Sequence, residues 1–351
     1  MLIVLIGLML ILTTGCSRGT KVYRPDPDTL YVGSVQTSFP TAYMPWLSRE
    51  GIAPSIAGML YDSLFSYNEE TGNFEPSIGR EWYYVDEQGE PIVTEDGSID
   101  YARLDEVYRD PKHRYLAVKV IIHDGITWSD GRPLTVEDVY YSLDLATNNL
   151  LSNHAGALAW TNDLRHKYTD GVLTQQGIFT YEHGAAKQGY HIAEADKDRV
   201  IYFHVNKVLG SVMPLFTSVL ILPKHIWEPV VSPEQQLNST APSEEILYRY
   251  RNPVGSGRYL LDTEETGSQQ IVLHTRADHH LAREAGHPLT QIKTIKYVLY
   301  QEINVAIYAL LKGHIDILDS SVSSNYLSLF EKEKDIFVSN APGQYIQTLV
   351  L

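Results

Sequence analysis

Apolar residues recur at helical spacing in three stretches of the chain. Ile52, Ile56, Met59, Leu60 and Leu64 predict an amphipathic helix within residues 52–65. Val136, Val139, Tyr140 and Leu143 predict a second. Ile303, Ile307, Leu310 and Leu311 predict a third, closed by Gly313 as a C-terminal cap. Between them lie runs rich in β-branched and aromatic residues that read as strands. These are "LYVGSV" at 30–35, "YLAVKVII" at 115–122, "RVIYFHVN" at 199–206, "IKTIKYVLYQ" at 292–301 and "HIDIL" at 314–318. The third helix sits between two of these strands, which predicts a right-handed crossover joining parallel strands. A short helix near 325–334 and a strand "DIFVSN" at 335–340 are expected to repeat that pattern.

One corner carries unusually dense local signals. In "HDGITWSDGRPLTVEDVYYSLDLA" (123–146), Asp124-Gly125 and Asp130-Gly131 are turn dipeptides flanking Trp128. Glycine takes positive φ without steric cost, so both turns can be tight and the indole can fold back on the preceding strand. Thr135 then stands where a helix cap belongs, with Asp138 three positions on as a shortened capping box. A second tight bend is expected at "NPVGSGRYLLDT" (252–263), where Gly255 and Gly257 flank Ser256. Pro223 ends the apolar run in "VLILPKHIWE" (219–228).

The polar segments divide the chain. Residues 17–29 are polar and proline-bearing and read as a tether. Residues 86–113 are acidic and read as a solvated, loop-like insertion, and residues 152–198 as a second polar stretch. The leader "MLIVLIGLMLILTTGC" is apolar from Leu2 to Leu12, which fits the core of a signal peptide and is short for a membrane span.

Composition narrows the function classes. The chain has 351 residues, 44% apolar and 20% charged, enough for well-buried cores. Acids outnumber bases 43 to 28, for a formal charge of −15. Such a surface repels nucleic acid and anionic lipid, and no basic run overrides it. With one cysteine, Cys16, there is no intrachain disulfide and no thiol catalysis in the body of the protein. Nucleotide-binding glycine loops, H-E-x-x-H and G-x-S-x-G are all absent. Asp316 and Asp319 could do acid–base work only if a cleft brought them together, and strand-end solvation explains them equally well. The strongest metal-ligand candidates are His279, His280 and His287 in "ADHHLAREAGH". Adjacent histidines point in different directions on a regular element, so the favoured reading is surface histidines in a loop, with no metal site and no cofactor.

In order, "MLYDSLFSYNEETGNFEPSIGREW", "IIHDGITWSDGRPLTVEDVYYSLD", "LILPKHIWE", "NPVGSGRYLL" and "INVAIYALLKGHIDIL" resemble the extracytoplasmic solute-binding proteins of ABC importers, family 5. The resemblance implies an α/β, two-lobed periplasmic-binding-protein-like fold of type II, with an added subdomain in the larger lobe. It implies a signal peptide at 1–16, the tether, a larger lobe at 30–265 and the start of a second lobe at 266–351. Members usually continue further, so the second lobe is expected to be incomplete and solute binding by this chain weak. "LTTGC" resembles a lipoprotein cleavage box in which Cys16 is lipidated, although Thr13 replaces the usual leucine and no basic residue precedes the apolar run.

The implied function is a non-enzymatic, monomeric receptor that binds peptides outside the cytoplasmic membrane and delivers them to a permease. Alternatives are a nickel or metal-chelate carrier of the same family, a truncated chain without function, and a secreted metal-dependent hydrolase using His279, His280 and His287. By resemblance the solute-facing candidates are Tyr43, Pro45 and Trp46 after the first strand, and Tyr61 on the first helix. Gly257 and Tyr259 fall near the lobe crossover, and Gln344 and Tyr345 at the second lobe's inner edge.

Overall fold

The computed structural model describes residues 26–45, 51–68, 71–86, 88–110, 115–147, 167–169, 172–175, 179–182, 198–206, 213–230, 244–283, 292–330, 332–333 and 336–338. In chain order the strands are β1 (Thr29–Val35), β2 (Phe65–Asn68), β3 (Asn73–Pro76), β4 (Gly79–Val85) and β5 (Tyr115–Ile122). They continue as β6 (Lys167–Thr169), β7 (Val172–Gln175), β8 (Phe179–Glu182), β9 (Val200–Asn206), β10 (Tyr259–Leu261), β11 (Gln270–Thr275), β12 (Thr294–Tyr300) and β13 (Ile317–Asp319). The helices begin with α1 (Ala53–Leu60), α2 (Tyr101–Arg109), α3 (Val136–Thr147) and α4 (Met213–Ser218). They end with α5 (Lys224–Trp227), α6 (Glu244–Arg251), α7 (Ile303–Leu311) and α8 (Leu327–Phe330). Among the described residues no helix is long and apolar enough to cross a membrane.

The chain forms two compact units. Of the described residues, the larger unit holds Asp26–Leu30 and Ser38–Lys296, the smaller Tyr31–Thr37 and those from Tyr297 onward.

The larger unit is organised on a four-stranded sheet of order β4-β5-β9-β8, all antiparallel. Strand β5 lies at its centre and is covered on both faces, which is why "YLAVKVII" is apolar nearly throughout. Val118, Val120 and Ile122 face one side with Ile201 and Phe203. Ala117 and Ile121 face the other with Val85, Val200 and Tyr202. Phe203 and Phe216 pack in this core with ring centroids 4.6 Å apart and planes tilted by 51°.

The corner after β5 forms as its sequence predicts. Gly125 and Gly131 take φ of 67° and 86°. Trp128 is fully buried, and its backbone N–H donates to the Arg132 carbonyl at 2.8 Å. Helix α3 buries Val136, Val139, Tyr140 and Leu143. Its start uses the reciprocal half of the capping box, the Thr135 N–H donating to the Asp138 carboxylate at 2.8 Å. The other oxygen of Asp138 accepts the Lys224 N–H at 2.8 Å, so one buried carboxylate starts both α3 and α5. Ser142 accepts the Leu222 N–H at 2.8 Å and ties α3 to the apolar run before Pro223.

Four expectations need correction. The first helix stops at Leu60, where Tyr61 turns extended, and the chain continues into β2. Its apolar spacing runs past the helix because Leu64 and Phe65 are buried by the strand that follows. The acidic insertion is not merely a loop: α2 forms there, capped by the Asp100 side chain and without a buried residue, while Ile92 anchors the segment in the core. The polar stretch 152–198 contains β6, β7 and β8, because backbone pairing does not require apolar side chains. Ile336–Val338 of "DIFVSN" form no strand, and Phe337 is 91% exposed.

In the smaller unit β1 lies between β12 and β13 and pairs with β13 in parallel, Val32 opposite Ile317 and Ser34 opposite Asp319. Helix α7 connects β12 to β13, burying Ala306, Ile307 and Ala309, and Gly313 closes it with a φ of 72°.

Candidate functional site

The carboxyl ends of three strands converge in the smaller unit. β1 ends at Val35, β12 at Tyr300 and β13 at Asp319. The Gln36 N–H donates to the Tyr300 carbonyl at 3.0 Å, and the Val35 N–H to Ser320 Oγ at 3.1 Å. In open α/β sheets the edge beyond the strands' carboxyl ends is where ligands are held, because the connecting loops diverge there. A cavity of about 540 Å³ occupies that edge, lined by Val35, Ile303, Ser320, Ser321, Ser323 and Tyr326.

The local sequence explains the lining. "DSSVSSNY" (319–326) follows β13 with turn-forming hydroxyl residues, so the chain leaves the strand with polar groups turned outward. Ser320 Oγ donates to the Asp319 carbonyl at 2.6 Å, which fixes its lone pairs towards the Val35 amide. Tyr326 donates its hydroxyl to Asn304 Oδ1 at 2.7 Å and is thereby tied to the first turn of α7. That turn carries no side-chain cap. Among the described residues, the lining offers hydroxyls and apolar surface without a carboxylate or a cation. It can hydrogen-bond a polar solute and shield its apolar parts, and its described residues include no nucleophile–base pair.

The sequence-predicted residues that are described lie in the larger unit. Tyr43 is buried, its N–H donating to the Tyr250 carbonyl at 3.1 Å, and burial pushes its phenol up to about 12. Pro45 is half-buried. Tyr61 is fully buried, which raises its phenol pKa, and its hydroxyl has no hydrogen-bond partner among the described residues. The Gly257 N–H donates to the Leu60 carbonyl at 2.9 Å, and Tyr259 is buried with its hydroxyl 3.2 Å from the Ile292 carbonyl. Thus Tyr61 and Gly257 meet at the end of α1. Trp46, Gln344, Tyr345 and Cys16 fall outside the described residues, as does His287. The serines and Tyr326 were missed, and the available signal was the hydroxyl-rich turn directly after a strand.

The histidine reading is overturned. His279 and His280 are 2% and 7% exposed and not on the surface. Their rings lie 4.3 Å apart because the irregular turn before the 3-10 helix at His280–Arg283 breaks the divergence expected on a regular element. His279 Nε2 lies 3.1 Å from the Asp62 carboxylate, and His280 Nε2 donates to the Ser77 carbonyl at 2.8 Å. Burial works against ionised Asp62, but the bond and charge of His279 outweigh it and hold its pKa below the usual value. Burial, then the neighbouring His279, push His280 down to about 4.

Comparison with known proteins places this geometry. The description "Bacterial extracellular solute-binding proteins, family 5 Middle" matches residues 116–351. The "probable peptide-binding protein YejA" of Agrobacterium fabrum is 24% identical over 211 residues, covering 58% of this chain and 28% of that protein. An oligopeptide-binding protein of Thermotoga maritima bound to mannohexaose superposes with a TM-score of 0.54 at 20% identity, over 89% of this chain and 44% of that one. AppA of Bacillus subtilis with a nonapeptide gives 0.51 at 20% identity, over 87% and 46%. MoaA of A. tumefaciens R10 with mannopinic acid gives 0.56 at 12% identity, over 87% and 47%. The chain therefore spans less than half the length of these three structures and under a third of the curated relative. Their likeness shows the mixed α/β fold of periplasmic binding proteins. With more than half of its residues matched by the family description, the chain belongs to the bacterial extracellular solute-binding proteins of family 5.

Proposed function

We propose that this chain is a peptide-binding component of an ABC importer, held outside the cytoplasmic membrane and presenting its solute to the permease. The observation that carries the reading is the cavity of about 540 Å³ beyond the carboxyl ends of β1, β12 and β13, whose described lining residues are hydroxyl-bearing or apolar. Peptides are rich in neutral donors and acceptors, and the Ser321 and Ser323 hydroxyls can turn to meet either. Water can fill the remaining space and bridge side chains of different size. The curated relative and the Bacillus structure, both peptide binders by their descriptions, favour peptides over sugars and chelates. In this reading Cys16 carries the lipid anchor, and Tyr43, Pro45, Trp46, Tyr61, Gly257, Tyr259, Gln344 and Tyr345 line or support the solute path.

The test is titration of the chain with dipeptides to nonapeptides, read by nuclear magnetic resonance shifts and calorimetry, so that weak binding is also seen. Saturable shifts at Ser320–Tyr326, weakened about 10-fold or more by Tyr326→Ala, are the expected result. No saturable response to any peptide, or a response that leaves Ser320–Tyr326 untouched, overturns the reading.

A further inference from the structure

We propose that Asp62, His279 and His280 form a site for a late first-row divalent cation such as Zn²⁺, held as a resident part of the larger unit. Three observations converge. First, one ligand atom from each residue lies within 4.8 Å of the others, which only modest closure separates from the ~3.3 Å spacing of a tetrahedral site with bonds near 2.0 Å. Two imidazoles with one carboxylate suit zinc and its neighbours, whereas calcium and magnesium call for oxygen donors throughout.

Second, the outer contacts are those that orient ligands. His280 spends Nε2–H on the Ser77 carbonyl, so its neutral ring presents Nδ1 as the lone-pair atom. The Asp62 N–H donates to Ser256 Oγ at 2.9 Å, which fixes the start of its side chain. When the ion binds at His279 Nε2, the proton shared there with Asp62 moves to the other ring nitrogen or to solvent.

Third, the framework is built before any ion arrives. The Arg276 guanidinium, 3% exposed, donates to the carbonyls of Gly255, Ser256, Thr127 and Trp128. It clamps the turn that carries both histidines to the corner around Trp128. Gly257 presses on the backbone of α1 just before Asp62. The ligands thus sit on a rigid support, as a selective site requires. The His123 ring, 5.3 Å from that of His280, stands at the edge of the cluster.

The probe is Co²⁺ added to chelator-stripped chain, followed by Zn²⁺ competition. One equivalent of Co²⁺ with the visible absorption of a four-coordinate ion, displaced by Zn²⁺, is expected. His279→Gln, His280→Gln and Asp62→Asn should each lower affinity at least about 10-fold, and His314→Gln should not. Absence of one-equivalent binding, or binding unchanged in all three variants, overturns the proposal. Should the variants fail to fold, the wild-type chain decides: Zn²⁺ should raise its thermal midpoint, and pulsed electron paramagnetic resonance with Cu²⁺ should count two imidazoles. No rise, or fewer than two imidazoles, overturns the proposal as well. Peptide titration in chelator separates this site from the proposed function, since either can fail without the other.

Discussion

The backbone N–H of Gly257 donates to the carbonyl of Leu60 at 2.9 Å, and a Cβ at Gly257 would lie 2.3 Å from the Met59 carbonyl oxygen. The obstacle is backbone, which cannot swing aside as a flexible side chain can. Gly257→Ala is therefore expected to cost about 3 kcal/mol or more of stability, as severe overpacking does. Gly255→Ala, whose Cβ would meet the Leu60 carbonyl oxygen at 1.9 Å, should cost at least as much. Urea unfolding of both variants checks this, and a loss under 1 kcal/mol (roughly the cost of a tolerated core change) would contradict the packing described.

Arg276 should be irreplaceable by lysine. Its planar fork reaches four backbone carbonyls at once, and a point ammonium cannot. In Arg276→Ala the Gly255 and Trp128 carbonyls keep the Ser129 and Gly131 N–H groups, while those of Thr127 and Ser256 lose this buried donor, which should cost about 2–4 kcal/mol, with Arg276→Lys recovering less than half. Chemical denaturation measures both, and full rescue by lysine would show that charge alone matters there.

Tyr61→Phe should be neutral or stabilising by up to about 1 kcal/mol, because the hydroxyl is buried without a partner among the described residues. The same variant probes the solute path. A drop in peptide affinity with unchanged stability would mean that the hydroxyl is reserved for ligand.

Acid should release one contact of the Trp128 corner. Burial opposes ionised Asp130, but the His225 ring at 2.8 Å and the Arg132 amide outweigh it, so its pKa lies below the usual value. A carboxyl with a lowered folded pKa contributes stability that is complete above its unfolded value of about 3.9 and fades as pH falls through the folded one. Asp130→Asn should cost about 0.5–1 kcal/mol at neutral pH, and the gap to wild type should close below about pH 4. Thermal melts across that range test it. A gap that widens below about pH 4 would reverse the assigned sign.

What local pattern could determine, it determined well. Strand β5, helix α3 and the two Asp-Gly turns around Trp128 follow from neighbours within a few positions, where periodicity and glycine's freedom act directly. The order of those blocks also carried the family resemblance. Where a segment's state depends on distant partners, the pattern misled: the spacing of residues 52–65 outran α1, and "DIFVSN" formed no strand. Only tertiary structure decided that Asp62 and His279, 217 positions apart, would share a hydrogen bond, and that the hydroxyls after β13 would open into a cavity beside Val35 and Ile303. Apolar burial is written into sequence as a period, because any apolar neighbour satisfies it. A buried polar group needs one particular partner at one distance, and packing of the whole unit supplies it.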